Sequence, residues 1–201
     1  MTQAKVRFAS FEEYLVWSDA PENYLEGRYE LVDGELVELM PESGRNLAIA
    51  RFVFFMLVAA GIPLEFVMQG GIEVQVPVLQ TGDAANRFPD LLVLREEHPA
   101  LIEKRATITR EMPPPRMLVE VVSPGNRNQE RDYNRKLSQY QAIGVDEYWI
   151  ADPTREMVSV FILKQNNYRK VGEFRSSDIV PCLTCLELRL TAEQILSGGH
   201  K

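Results

Sequence analysis

Histidine and cysteine are nearly absent from this chain, and most protein nucleophile chemistry goes with them. The two histidines, His98 and His200, fall in a loop and a tail without a triad context, which sets aside a Ser-His or Cys-His machine. The two cysteines form Cys182-Leu183-Thr184-Cys185, half of a zinc site that neither histidine is spaced to complete. Residues 186–190 alternate like a strand, so this is no thioredoxin-type helix start, and two small residues leading into a strand over 185–190 are expected.

Long hydrophobic runs are missing too. The most apolar stretch, residues 47–60, carries Arg51 and is too short to span a bilayer, and residues 1–7 lack the apolar core of a secretory signal. A cytoplasmic protein with no membrane partner is expected. Basic charge is also scarce: 22 Lys and Arg face 29 Asp and Glu, for a net charge of -7, which weighs against strong sequence-independent binding to nucleic acid.

The remaining composition, 45% hydrophobic and 25% charged over 201 residues, is that of one soluble domain with a sizeable core. Ser10-Phe11-Glu12-Glu13 reads as a capping box opening a short helix to about Trp17. Asp33-Gly34 between residues 29–32 and 35–40 is a hairpin signal, and a buried helix is expected from Ser43 or Arg45 to Gly61. Residues 64–68 and 72–78 read as strands, the second with one face buried. Further strands are expected at 147–151, 157–163 and 168–173, with a last short helix capped by Thr191. The strand 117–122, helix 129–143 and strand 147–151 form a β-α-β unit within a mixed sheet. The connections 79–87 and 95–116 lead into strands that carry isolated acids, which marks both as candidate substrate-contacting loops.

Those acids are the most informative feature. Pro89-Asp90 opens one apolar run and Glu120 interrupts another, Met117-Leu118-Val119-Glu120-Val121-Val122. A carboxylate buried in a strand is costly unless it is paired, hydrogen-bonded or metal-bound, and two together repel. A divalent cation would resolve both problems. After the turn Ser123-Pro124-Gly125, with Asn128 as the expected N-cap and Gly144 as terminator, Asp132, Lys136 and Tyr140 stand at i, i+4 and i+8 on one helix face. Lys136 can then reach toward the acidic strands from the edge of the core. The competing account is an ordinary Asp to Lys helix pair worth a few tenths of a kcal/mol. Arg127, Arg131 and Arg135 cluster on the same helix, either as a local basic patch or as a solvated face.

In order, Tyr29-Glu30-Leu31-Val32-Asp33-Gly34-Glu35-Leu36, Pro89-Asp90, Glu120-Val121-Val122-Ser123-Pro124, Asp132 with Lys136 and Tyr140, and Gly144 through Pro153 resemble the Uma2 family, a branch of the PD-(D/E)XK nuclease-like superfamily. The resemblance implies a restriction-endonuclease-like α/β (α+β mixed) fold: a mixed central sheet flanked by helices, a core over residues 28–153, an additional N-terminal hairpin, and C-terminal strands with a short helix over 154–201. It implies Mg²⁺ or Mn²⁺ held by Asp90 and Glu120, helped by the Val121 carbonyl, with Lys136 as the third catalytic residue and DNA as the substrate, cut to leave 5′-phosphates. Glu30, Asp132 and Tyr140 would support the site. Glu35 would offer a further carboxylate, although alternation also allows Glu30 a solvent-exposed place. A homodimer is expected, since cutting both strands needs two sites. Two departures stand out: Val122 occupies the position of the superfamily's strand lysine, and Asn46 stands where family members often carry a histidine. A nucleic-acid- or protein-binding domain without turnover and a metalloenzyme of another kind are the alternatives.

Overall fold

The computed structural model describes residues 6–23 and 25–200, without the side chain of Arg127. The expectations about residues 1–5 and about the Arg127 side chain lie outside that range. In chain order the elements are α1 (Phe11–Ser18), β1 (Tyr29–Val32), β2 (Glu35–Glu38), α2 (Gly44–Ala59), β3 (Val67–Gln69), β4 (Glu73–Gln75), β5 (Asn86–Arg87), β6 (Leu91–Val93), α3 (His98–Leu101), β7 (Thr107–Ile108) and β8 (Met117–Val121). Then follow α4 (Asn126–Glu130), a π-helical segment (Arg131–Lys136), α5 (Leu137–Ile143), β9 (Glu147–Asp152), β10 (Met157–Lys164), β11 (Asn167–Phe174), β12 (Ile179–Val180), β13 (Leu190–Thr191) and α6 (Ala192–Leu196).

The central sheet runs β11-β10-β9-β8-β6-β3 and is mixed: β8 and β9 are parallel, and every other neighbouring pair is antiparallel. The helical stretch 126–143 is the crossover that a parallel pair requires. Period-two alternation gives β8 two different faces. Met117, Val119 and Val121 pack toward α2 with Ile49, Val53 and Leu57, whereas Leu118 and Val122 pack with Tyr140, Tyr148 and Ile150 on the opposite side. Glu120 shares the second face, and so points toward the crossover helix.

The local signals account for several boundaries. Ser43 caps α2 through its hydroxyl, which accepts the Asn46 N–H at 3.1 Å. In the β1–β2 turn Asp33 and Gly34 both take positive φ, 49° and 82°, and a Cβ on Gly34 would lie 2.8 Å from the Phe8 carbonyl oxygen. Ser10 caps α1 by accepting the Glu13 N–H at 3.2 Å, but the Glu13 carboxylate bonds the Ala9 N–H at 2.6 Å and leaves the expected box incomplete.

Three expectations are corrected. The crossover helix starts at Asn126, and Asn128 lies inside it, donating its side-chain amide to the Pro124 carbonyl at 2.8 Å. The strand over 72–78 shortens to β4, which pairs with β5 and β7 and is buried on both faces, its Glu73 held by Asn86 at 2.6 Å and Thr107 at 2.7 Å. Of residues 185–190 only Leu190 lies in a strand, at the start of β13, since the preceding turn is organised around a buried acid. The carboxylate of Glu147 accepts the backbone N–H groups of Leu183 at 3.0 Å and Thr184 at 2.6 Å, and the Trp149 indole N–H at 2.8 Å. Cys182 and Cys185 are buried beside it, and burial together with Glu147 pushes the Cys182 thiol well up, away from thiolate chemistry.

Glu147→Gln would turn an amide donor toward those N–H groups. We expect a loss of about 1–3 kcal/mol in urea unfolding. A change below about 0.5 kcal/mol would show that the turn is held by something else.

Candidate active site

Asp90 lies at the entry to β6, and Glu120 lies near the end of the neighbouring β8. The Asp90 carboxylate accepts the Val121 N–H at 2.7 Å, which binds it to the strand that carries Glu120. Asp90 is half-buried, whereas Glu120 is only 2% exposed. Lys136, 5% exposed, lies with its Nζ 2.7 Å from Glu120 Oε2 and 3.2 Å from Asp132 Oδ1. Tyr140 donates its hydroxyl to Glu120 Oε1 at 2.7 Å. Arg131 Nε closes the group from outside, 3.0 Å from Asp132 Oδ1.

The crossover helix meets this group through its π-helical segment, a local widening of the helix often found at functional positions. One carbonyl within the widened turn, that of Asp132, accepts the Tyr148 hydroxyl at 3.0 Å. The Tyr148 ring also packs edge-on against Tyr140, with centroids 5.2 Å apart. Tyr148 and Trp149 are therefore buried sheet residues, and each also donates one hydrogen bond, Tyr148 to the Asp132 carbonyl and Trp149 to Glu147.

Burial, followed by the charge of Glu120, pushes Asp90 up to about 8, against the pull of Lys136 and the Val121 N–H. Burial raises Glu120 as well, with Lys136 opposing. For Lys136 burial works against the ammonium, but Asp132 and Glu120 outweigh it and the group stays charged. Burial and Glu120 keep the Tyr140 hydroxyl protonated, consistent with its role as donor.

A cavity of about 380 Å³ opens above Asp90, Glu120 and Lys136, with Glu30, Glu42 and Arg131 in its walls. Glu30 is buried rather than solvent-exposed, because Arg87 pairs with it at 2.9 Å and is itself fixed by Gln139 at 2.9 Å. Glu35 turns away from the cavity and pairs with Arg7 at 2.5 Å. Asn46 joins α2 to the end of β8: its Nδ2 lies 3.2 Å from the Val121 carbonyl, 2.9 Å from Ser123 Oγ and 3.1 Å from Glu42 Oε2. Glu42, Arg28 and Phe88 line the cavity without having stood out in the sequence, since each sits outside the runs that carry the acids.

The connection 95–116 does not reach this cavity. It enters the opposite end of β8 and borders a separate space of about 720 Å³ lined by Arg95, Arg116 and Asp146. The loop 79–87 reaches a neighbouring cavity of about 530 Å³ through Gly82 and Arg87. Much of the loop is occupied structurally, with Asp83 accepting the backbone N–H groups of Leu79 and Gln80 and pairing with Arg135 at 3.1 Å.

Among the described residues no group of three or more His, Cys, Asp or Glu side chains is placed to hold a metal ion. Asp90 and Glu120 both face the cavity, however, and Mg²⁺ commonly binds through one or two carboxylates with water and substrate oxygens completing the shell. The acids are hard oxygen donors whose mutual repulsion a cation would relieve. The donor set fits.

The central sheet and its flanking helices match a solved structure described as "a putative nuclease belonging to DUF820" from Anabaena variabilis ATCC 29413, with a TM-score of 0.62 and 17% identity over 96% of this chain and 100% of that one. The fold is thus that of a nuclease-like mixed α/β protein. The Uma2 family, described as "Putative restriction endonuclease", matches residues 11–193, and the chain belongs to it. No curated protein matches the chain. No helix among the described residues is long and apolar enough to cross a membrane.

An acid whose pKa rises on folding, from 3.8 to about 8 for Asp90, gives stability that is present at low pH and lost as pH climbs toward the folded value. Asp90→Asn removes that loss. Its melting temperature should gain on the parent's as pH rises from ~5 to ~9. Parallel melting curves across that range would show that Asp90 ionises normally.

Proposed function

We propose that the chain is a metal-dependent nuclease that hydrolyses DNA phosphodiester bonds, with Asp90, Glu120 and Lys136 as its catalytic residues. The observation that carries this reading is the 2.7 Å approach of Lys136 Nζ to Glu120, beside Asp90 and at the floor of an open cavity. Membership in a family described as restriction endonucleases supports it. Asp90 and Glu120 would hold Mg²⁺ or Mn²⁺; when bound, the ion polarises a phosphoryl oxygen and lowers the pKa of a water.

The chain's own residues do the rest. Lys136, kept protonated by two acids, places a fixed positive charge where negative charge develops on the phosphoryl oxygens. Asp132 and Arg131 hold that ammonium in line, and Tyr140 fixes the Glu120 carboxylate so that its orientation is set before substrate arrives. Glu30 walls the cavity as a supporting carboxylate pinned by Arg87. A binding domain without turnover is the second reading. One observation favours it: the Asn46 amide is directed at the Val121 carbonyl, an oxygen that would otherwise be free to serve the cation.

Supercoiled, linear and single-stranded DNA should be offered at low salt with Mg²⁺ or Mn²⁺. We expect cleavage that chelator and Asp90→Ala abolish. In Lys136→Gln, calorimetric metal affinity should survive while the cleavage rate falls by about 10²–10³. Cleavage that persists in chelator would refute the metal reading, and bound metal without cleavage of any substrate would establish the binding domain.

A further inference from the structure

We infer that the cavity takes a single strand of nucleic acid, stacked at the rim on Arg28 and Phe88, and not the backbone of an intact duplex. This rests on the nuclease reading of Asp90 and Glu120 and names the form of substrate that the same cavity admits.

Depth is the first argument. Glu120 and Lys136 are 2% and 5% exposed, at the floor of a cavity of about 380 Å³. That is the low end of the roughly 300–1,000 Å³ range of small-ligand pockets, a space for one nucleotide unit. Residues 38–42, Ser123, Asn128 and Arg131 line the same cavity. Duplex DNA would have to bend or kink to bring one phosphate to that floor, at a cost in deformation energy. A single strand bends at every nucleotide.

Rim chemistry is the second. The Arg28 guanidinium lies 5.9 Å from the centroid of the Phe88 ring, and Phe88 is two residues from Asp90. Among the described residues Arg28 makes no ion pair, although Glu38 and Glu42 line the same cavity. Beside it Met40 is 80% exposed, a large apolar side chain left on the surface of a charged cleft. A guanidinium on an aromatic ring next to an apolar side chain is a platform for an unpaired base, which has a free π-face where a paired base has none.

Continuity is the third. The neighbouring cavity of about 530 Å³ shares Glu30 and Arg131 with the first and carries Arg87 and Arg135. A strand leaving the carboxylates can run over Arg131, whose side chain is 32% exposed, into that space. A single strand also needs one cavity per cut, which removes the reason for expecting two chains to act together. With a net charge of -7, stacking should contribute a large share of the affinity beside the phosphate contacts of these arginines, and salt should still weaken binding.

The test is fluorescence anisotropy of the full chain in Ca²⁺ with labelled oligo(dT) of about 16 nucleotides and a labelled hairpin duplex. We expect oligo(dT) to bind at least about tenfold tighter, and Arg28→Ala and Met40→Ala each to weaken it by about fivefold or more. Met40 is exposed, so its variant folds even if the Arg28 variant is destabilised. Equal or tighter duplex binding, seen together with metal-dependent duplex cleavage, would overturn this inference and leave the nuclease reading standing. A single-strand preference untouched in both variants would overturn the rim platform. Failure to bind either probe would overturn the inference and the nuclease reading together.

Discussion

The contact between Lys136 and Glu120 is the interaction around which the rest of this structure is arranged. Three acids, Asp90, Glu120 and Asp132, converge below one cavity, and without a buried cation at least two of them would stand uncompensated in a low-dielectric environment. A buried ion pair is seldom the most stable way to fill such a space, since packed apolar residues of similar volume often do as well or better. The chain nevertheless places Lys136 at 5% exposure and surrounds it with Arg131 outside and Tyr140 behind Glu120. That so costly a group is kept where apolar packing was available supports the proposal that places the chemistry here.

The π-helical segment belongs to the same constraint. A regular helix advances a fixed angle per residue, so Asp132, Lys136 and Tyr140 would drift steadily around its surface. Here Lys136 meets both Asp132 and Glu120, while Tyr140 reaches the other oxygen of Glu120. The widened turn lies between the first two of these contacts, and the Tyr148 hydroxyl on the Asp132 carbonyl supports it from β9. Strand β9 thus contributes to the site indirectly, through a tyrosine that holds the helix and packs on a second tyrosine.

What the sequence revealed and what it hid divide along the range of the interactions involved. Local chemistry was legible: the Ser43 cap, the Asp33-Gly34 turn, the isolated Glu120 in an apolar strand and the four-residue steps that place Lys136 and Tyr140 on one face. The resemblance then supplied a mixed central sheet flanked by helices. Glu30 was ambiguous because its burial depends on Arg87, 57 residues away, which no periodicity encodes. The Cys182 to Cys185 turn read as a strand entry because its organiser, Glu147, lies 36 residues upstream of Leu183. Asn46 could be noticed only as a departure from a pattern, since its contact with Val121 spans 75 residues. Asn128 was the reverse case, a good capping residue whose neighbourhood offered Asn126 an earlier start.

Charge ties these pieces to the proposed use of a polyanionic substrate by an acidic protein. Asp90, Glu120 and Asp132 against Lys136 and Arg131 leave the cluster with one net negative charge when all five are ionised. Burial first, and then the charge of Glu120, make Asp90 hold its proton up to about 8, which removes that excess at neutral pH. On the proposed reading a divalent cation reverses the sign to one net positive charge, and a phosphodiester brings the cluster to neutrality. Neither partner is well accommodated alone: the bare cluster offers phosphate no net positive charge, and the loaded one keeps an unbalanced charge in a buried place. Cation and substrate would therefore favour each other's binding, and a chain with a net charge of -7 could select a phosphodiester without any broad basic surface.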